Sequence, residues 1–212
     1  MPAPGAARGP IREVAIFFLV FAAVWTADVI VAWRLDLVPG ALRPWIRMML
    51  WTGAVGAWVL WHRTPAPARW LGLAPLSPGQ AACALIAFAS IFGGNLLRVW
   101  FLAPPLHQLA EATPLVIVWS FVAVFVEELV FRGVVQTRLA EGCTAPVAIL
   151  AAAALFLLIH IPGWTILAMP VDARTAVSVF LIGVICGGLR QWSGSLWPAV
   201  AAHWANNLGA ML

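Results

Sequence analysis

Apolar residues in this chain fall in long runs, separated by short clusters rich in Pro, Gly and Arg. The first run, Val14 to Trp33, carries one charge, Asp28. It is longer than the apolar region of a cleaved signal peptide, so it reads as an uncleaved membrane span. A second runs from about Trp45 to Trp61, bracketed by Arg43, Arg47 and Arg63. After a Pro-rich loop from Thr64 to Pro78, Ser77-Pro78 and Thr113-Pro114 each supply an N-cap followed by a first-turn proline. They predict a third span to about Leu102 and a fourth that stays apolar to Val126 before meeting Glu127-Glu128. Thr144-Ala145-Pro146 opens a fifth, ending at His160-Ile161-Pro162; Thr175 to Leu189 is a short sixth, and a seventh starts at Ser195. Pro162 to Arg174 is too short and too broken to cross, and is expected to be a loop or re-entrant piece.

Composition turns the pattern into a class. Of 212 residues, 63% are apolar and 9% charged, and the mean hydropathy is +0.96. A soluble domain is about 45–50% apolar and about 25% charged, and one core of this size could not hide so much hydrocarbon from water. Seven spans of about 20 residues use roughly 140 residues and leave only short loops. The expected fold is therefore all-α, a polytopic transmembrane bundle forming a single integral-membrane domain over residues 1–212.

Charge excludes some partners. The net charge of +4 arises from twelve Arg, with no Lys, against eight acids. The arginines are scattered singly, so no basic block suited to nucleic acid appears. Between the two membrane faces they divide almost evenly: Arg8, Arg12, Arg63, Arg69, Arg138 and Arg190 on one, Arg34, Arg43, Arg47, Arg98 and Arg174 on the other, so no orientation follows. Cys83 and Cys186 lie in apolar runs and Cys143 in a short loop, without metal-ligand spacing or a disulfide framework. Trp33, Trp45, Trp61, Trp70, Trp100, Trp192 and Trp197 fall near the ends of runs, where an interfacial belt would sit.

An ionisable side chain in hydrocarbon costs roughly 2.5–3.5 kcal/mol on insertion scales and needs a partner or a task. The candidates are Asp28, Arg98, the Glu127-Glu128-Arg132 group, His160, and His203 with Asn206 and Asn207. Glu128 and Arg132 are spaced i, i+4 and can pair on one helix face, while Glu127 points about 100° away and stays free. Read blandly, the group is only the polar end of a helix. Phe156 and His160 share a face by the same spacing, although a lone histidine at a span end also fits an interfacial or core role. His203 and Asn207 aim two hydrogen-bonding groups at one point, and interhelical bonding is the alternative there. Asp28 and Arg98 are expected to form an intramembrane ion pair, or else to line an access path.

Depth links three of these groups. At 1.5 Å per residue, Glu127 lies roughly 18 Å, His160 roughly 9 Å, His203 roughly 18 Å and Asn207 roughly 12 Å from the face where the fourth span begins. All four share one layer about 10 Å thick, and polar groups in lipid turn toward the bundle interior. A carboxylate, two imidazoles and a carboxamide around a wet pocket suffice for hydrolysis. A Glu–His pair can deprotonate water, and a His–Asn pair can donate to a tetrahedral oxyanion.

Glu127-Glu128-x-x-x-Arg132, Phe156-x-x-x-His160 and His203-x-x-x-Asn207, in that order on successive late spans, resemble the three motifs of the CAAX-processing and bacteriocin-processing (CPBP, or Abi) intramembrane endopeptidases. The resemblance covers roughly Thr113 to Leu212 and implies a catalytic core at about 113–212 in a glutamic-type protease without a cofactor. By that resemblance Glu127 would activate water with His160, His203 and Asn207 would form the oxyanion site, and Glu128 and Arg132 would support them. The family usually has about eight helices, so seven to eight spans are expected. An eighth would lie after Gly133 or in the loop after Pro162.

Two other classes compete. A zinc protease would use His160, His203 and Glu127 as ligands, but no His-Glu-x-x-His helix is present. A transporter or membrane scaffold would use the same residues for passage or binding, but the internal repeat common among transporters is absent. Arg without Lys and the Ala, Pro, Gly and Trp load resemble a high-GC genome, which points to a bacterial inner membrane. Prenylated proteins are then not the expected substrates; leader peptides or C-terminal anchors of membrane-associated proteins are, the anchors as in the myxosortase-like branch of the family.

Overall fold

A computed structural model describes residues 8–102 and 108–212, so most of the Pro/Gly/Ala-rich start lies outside the described residues. Each long apolar run forms a helix. Helix α1 (Arg8–Asp28) continues into a π-helical turn, Val29–Arg34. Helix α2 spans Arg43–Trp61, and the short α3 (Pro67–Trp70) sits in the Pro-rich loop. Helix α4 (Pro78–Leu102) starts at a reciprocal cap in which Ser77 N–H donates to Gln80 Oε1 and Gln80 N–H to Ser77 Oγ. After a single turn, α5 (Gln108–Glu111), helix α6 (Pro114–Glu128) begins with Thr113 as N-cap and Pro114 in its first turn. It runs on through a π-helical stretch, Leu129–Gln136, into α7 (Thr137–Ala140). Helices α8 (Ala145–Leu158) and α9 (Ile161–Ile166) meet at a kink, and α10 (Ala173–Ser193) and α11 (Trp197–Ala210) complete the bundle. No strand occurs among the described residues.

Among the described residues, five helical segments are long and apolar enough to cross a membrane: Gly9–Arg34, Pro78–Leu102, Pro114–Ala140, Ala145–Ile166 and Ala173–Ser193. The two other long helices occupy the expected second and seventh places but fall short of that standard. Helix α2 has 19 residues with Arg43 and Arg47 near its start and four tryptophans. Helix α11 has 14 residues, about 21 Å of rise against a core of about 30 Å. The count of seven to eight spans is thus not reached by length and apolarity. The chain after Gly133 extends the fourth helix to Ala140. Pro162 to Arg174 is partly helical, because α9 carries the fifth segment on to Ile166.

Close packing follows the small residues. A Cβ on Gly209 of α11 would meet Asn95 of α4 at 2.5 Å, and one on Gly183 of α10 would meet Ala153 of α8 at 3.1 Å. Such approaches are how helices associate where lipid removes the hydrophobic drive between them. Helix α6 is the centre: every residue from Leu129 to Gln136 is buried. An aromatic chain crosses the interior from Phe21 through Trp51 and Phe131 to Phe156, with successive ring centroids 4.8, 6.2 and 5.2 Å apart. Trp61, Trp100 and Trp192, at or near helix ends, are instead about four-fifths exposed, as an interfacial belt requires.

Candidate active site

The site is built from the π-helical turn outward. Glu128 and Arg132 pair as their spacing predicts, Arg132 Nη1 donating to Glu128 Oε1 at 2.8 Å, with both side chains almost completely buried. The other arm of the guanidinium leaves the helix: Nη2 donates to the Gly183 carbonyl of α10 at 2.8 Å. One turn on, Gln136 Nε2 does the same to the Gly187 carbonyl at 2.9 Å. Both acceptors are glycines because a side chain there would collide: a Cβ on Gly183 would lie 3.3 Å from Arg132 Nη2, and one on Gly187 2.9 Å from Gln136 Oε1. A π-helical turn is a recurrent feature of functional sites, and here it carries the two side chains that grip α10.

Phe156 gathers the rest. Arg132 Cζ lies 4.6 Å over its ring, an attraction between the guanidinium and the ring quadrupole. The same ring meets His160 edge-on at 4.8 Å and His203 at 5.4 Å, so one phenyl holds imidazoles from two helices. Pro162 follows close behind His160, and the chain turns tightly there: the His160 N–H bonds the Leu157 carbonyl, three residues back. The Phe156 carbonyl is instead taken by His160 Nδ1–H at 2.7 Å, which leaves Nε2 as the open nitrogen of a neutral ring. His203 Nδ1 donates to Glu128 Oε1 at 2.8 Å, and its Nε2 stands 3.8 Å from Glu127 Oε2.

Glu127, Glu128, Arg132, His160 and His203 therefore meet within the bundle, and Glu127 is not free. Arg47, from the start of α2, pairs with its Oε1. Counting residues from the helix ends would leave Arg47 about 12 Å shallower than Glu127, a gap closed by the long arginine side chain and by the packing of α2 against α6. The sequence carried one sign of this, the i, i+4 spacing of Arg47 and Trp51. Arg47 Cζ lies 5.4 Å from the Trp51 ring and 5.2 Å from that of Trp25.

Asn207 sits one turn beyond His203, half-buried, and makes no side-chain hydrogen bond among the described residues. The expected Asp28–Arg98 pair is not formed. Arg98 Nη2 reaches the Gly209 carbonyl at 3.5 Å, because α4 packs on α11, whereas Asp28 on α1 faces Arg47. Among the described residues no three His, Cys, Asp or Glu side chains are arranged to hold a metal ion.

Between α1 and α2 runs an apolar groove of about 880 Å³, lined from Glu13 and His62 at one end to Trp25 and Trp51 at the other. Its inner end is the pair of indoles that hold Arg47.

Residues 109–209 match the family of type II CAAX prenyl endopeptidase Rce1-like proteins. No curated protein and no solved structure matches the chain. The second half of this multi-helix membrane protein, which holds the buried carboxylate and imidazole cluster, is thus similar over residues 109–209 to the Rce1-like family.

Proposed function

We propose that the protein is an intramembrane endopeptidase of the glutamic type, cutting a peptide bond in a membrane-associated protein or in a leader or anchor segment. Water held between Glu127 and His160 Nε2 gives a proton to Glu127 as its oxygen attacks the carbonyl carbon. His203, held at Nδ1 by Glu128, donates from Nε2 to the oxyanion together with Asn207. The C–N bond then breaks as the proton passes from Glu127 to the leaving nitrogen, giving a carboxylic acid and an amine. Arg132 keeps Glu128 in place, so His203 is oriented from behind.

What supports this reading is one convergence. Two imidazoles from different helical segments flank one phenyl ring, and one of them, His203, has its Nε2 3.8 Å from the Glu127 carboxylate. The groove between α1 and α2 ends at the Trp25 and Trp51 indoles beside Arg47, and its apolar lining suits a hydrophobic segment of the substrate.

The deciding experiment compares membranes containing the wild-type protein with membranes containing Glu127→Gln. That substitution keeps the size of the side chain and removes the base, so cleavage is expected to fall by about 10²–10⁴-fold while insertion is unchanged. A protein terminus that shifts only with intact Glu127 identifies the substrate; near-normal cleavage by the variant refutes the assignment.

A further inference from the structure

The cation paired with Glu127 comes from outside the family match. The titratable and charged groups acting on Glu127 are Arg47 from α2, His203 from α11, His160 from the α8–α9 kink and Arg132 from its own helix. Arg132 is committed to Glu128 and to the Gly183 carbonyl. Both histidines use Nδ1 as a donor to another group, and neither makes a hydrogen bond to Glu127 among the described residues. Glu127 itself is 6% exposed, and a carboxylate so enclosed takes up a proton unless a counter-charge stands beside it. A glutamate that already holds a proton cannot take one from water.

We propose that Arg47 is a positioning residue: its guanidinium, held by the Trp25 and Trp51 rings, is the counter-charge that keeps the buried Glu127 ionised and its second oxygen turned toward His203. This rests on the peptidase reading for its purpose but not for its geometry. Arg47 is only half-buried, yet it is fixed from three sides, by the two indoles and by Glu127. The indoles are themselves packed edge-to-face at 5.5 Å, so the cation sits against a rigid aromatic corner. Among the described residues Asp28 is the rival. It faces Arg47 from α1, one of its oxygens is buried without a partner, and Arg47 Nε is likewise buried and unpartnered. Arg47 therefore lies between two carboxylates and is engaged with one of them.

The proposal can be tested without a substrate. Infrared difference spectra of the purified protein in lipid, at neutral pH, register the carbonyl stretch that only a protonated carboxyl shows. Arg47→Gln is expected to gain such a band relative to wild type, and the band is expected to vanish in the double variant Arg47→Gln/Glu127→Gln. Arg47→Lys, which retains the charge, is expected to lack the band and to keep cleavage within tenfold of wild type, whereas Arg47→Gln loses at least tenfold. Absence of the band in Arg47→Gln overturns the proposal, as does a band removed by Asp28→Asn rather than by Glu127→Gln. If Arg47→Gln fails to fold, the double variant decides: recovery of folded protein supports a charge left unpaired on Glu127, and no recovery overturns it. Should Glu127→Gln abolish cleavage while Arg47→Gln shows no band, the peptidase reading survives and the role of Arg47 falls. A Glu127-dependent band in a protein that cuts nothing gives the opposite outcome.

Discussion

His203 Nδ1 lies 2.8 Å from Glu128 Oε1, the oxygen that also accepts from Arg132 Nη1 at 2.8 Å. A single oxygen thus joins the last helix to the central one. Replacing Glu128 with Gln would leave Arg132 charged, buried and without its carboxylate, and breaking such a pair costs about 3–5 kcal/mol. Denaturant unfolding in detergent is expected to show a loss of that size. Cleavage should fall further than stability explains, because His203 loses the group that orients it. A Glu128→Gln protein as stable as wild type would show that the Arg132–Gly183 bond alone holds the guanidinium.

The grip of α6 on α10 depends on two glycines four residues apart. Gly183→Ala would push a methyl group to 3.1 Å from Ala153 Cβ, and Gly187→Ala would put one 2.9 Å from Gln136 Oε1 and 3.0 Å from Ile149 Cγ2. Each is expected to destabilise the bundle by about 1–3 kcal/mol, the range for overpacking a tight interior. Gly188, where an added methyl group would meet nothing within 4 Å, is the control. There Ala should be neutral or stabilising by up to about 1 kcal/mol, since it is the better helix former. Thermal unfolding of the three variants side by side checks the ranking.

Asn207 separates binding from folding. It makes no side-chain hydrogen bond among the described residues, so Asn207→Ala is expected to change the unfolding midpoint little. If it donates to the oxyanion, turnover should drop by about 2.7–4 kcal/mol of barrier while substrate affinity is largely kept. Single-turnover cleavage and thermal stability measured on one preparation decide the matter, and unchanged turnover removes Asn207 from the mechanism.

Chelation tests how water is activated. With Glu127 and His160 acting as the base pair, purified protein should keep its activity through exhaustive treatment with EDTA and phenanthroline. Loss that zinc alone restores would make Glu127, His160 and His203 metal ligands instead.

Local spacing made several of these relations legible before any fold was known. The Glu128–Arg132 pair and the Phe156–His160 contact are i, i+4 neighbours, and such neighbours meet on any helix whatever surrounds it. The capping residues Ser77 and Thr113 announced their helices for the same reason, because a cap bonds only to its own first turn. Depth in the bilayer, counted at a constant rise, brought Glu127, His160 and His203 to one layer, since a straight helix converts residue number into height.

What residue counting could not supply was lateral position. Arg47 looked like an interfacial arginine because it stands near the start of its helix; only the packing of α2 against α6 and of Trp25 against Trp51 brings it to Glu127. Asp28 and Arg98 had matching charges and no means of meeting, because α1 lies by α2 whereas α4 lies by α11. The sequence by itself determined the membrane class, the long apolar helices and the Glu128–Arg132 and Phe156–His160 contacts, because those depend on composition and on a fixed helical repeat. The partners of Glu127, the bond from Arg132 to Gly183 and the joining of two histidines at one phenyl ring depend on which helices lie side by side. Tertiary packing alone decided that, through interlocking small residues and the matching of buried charges.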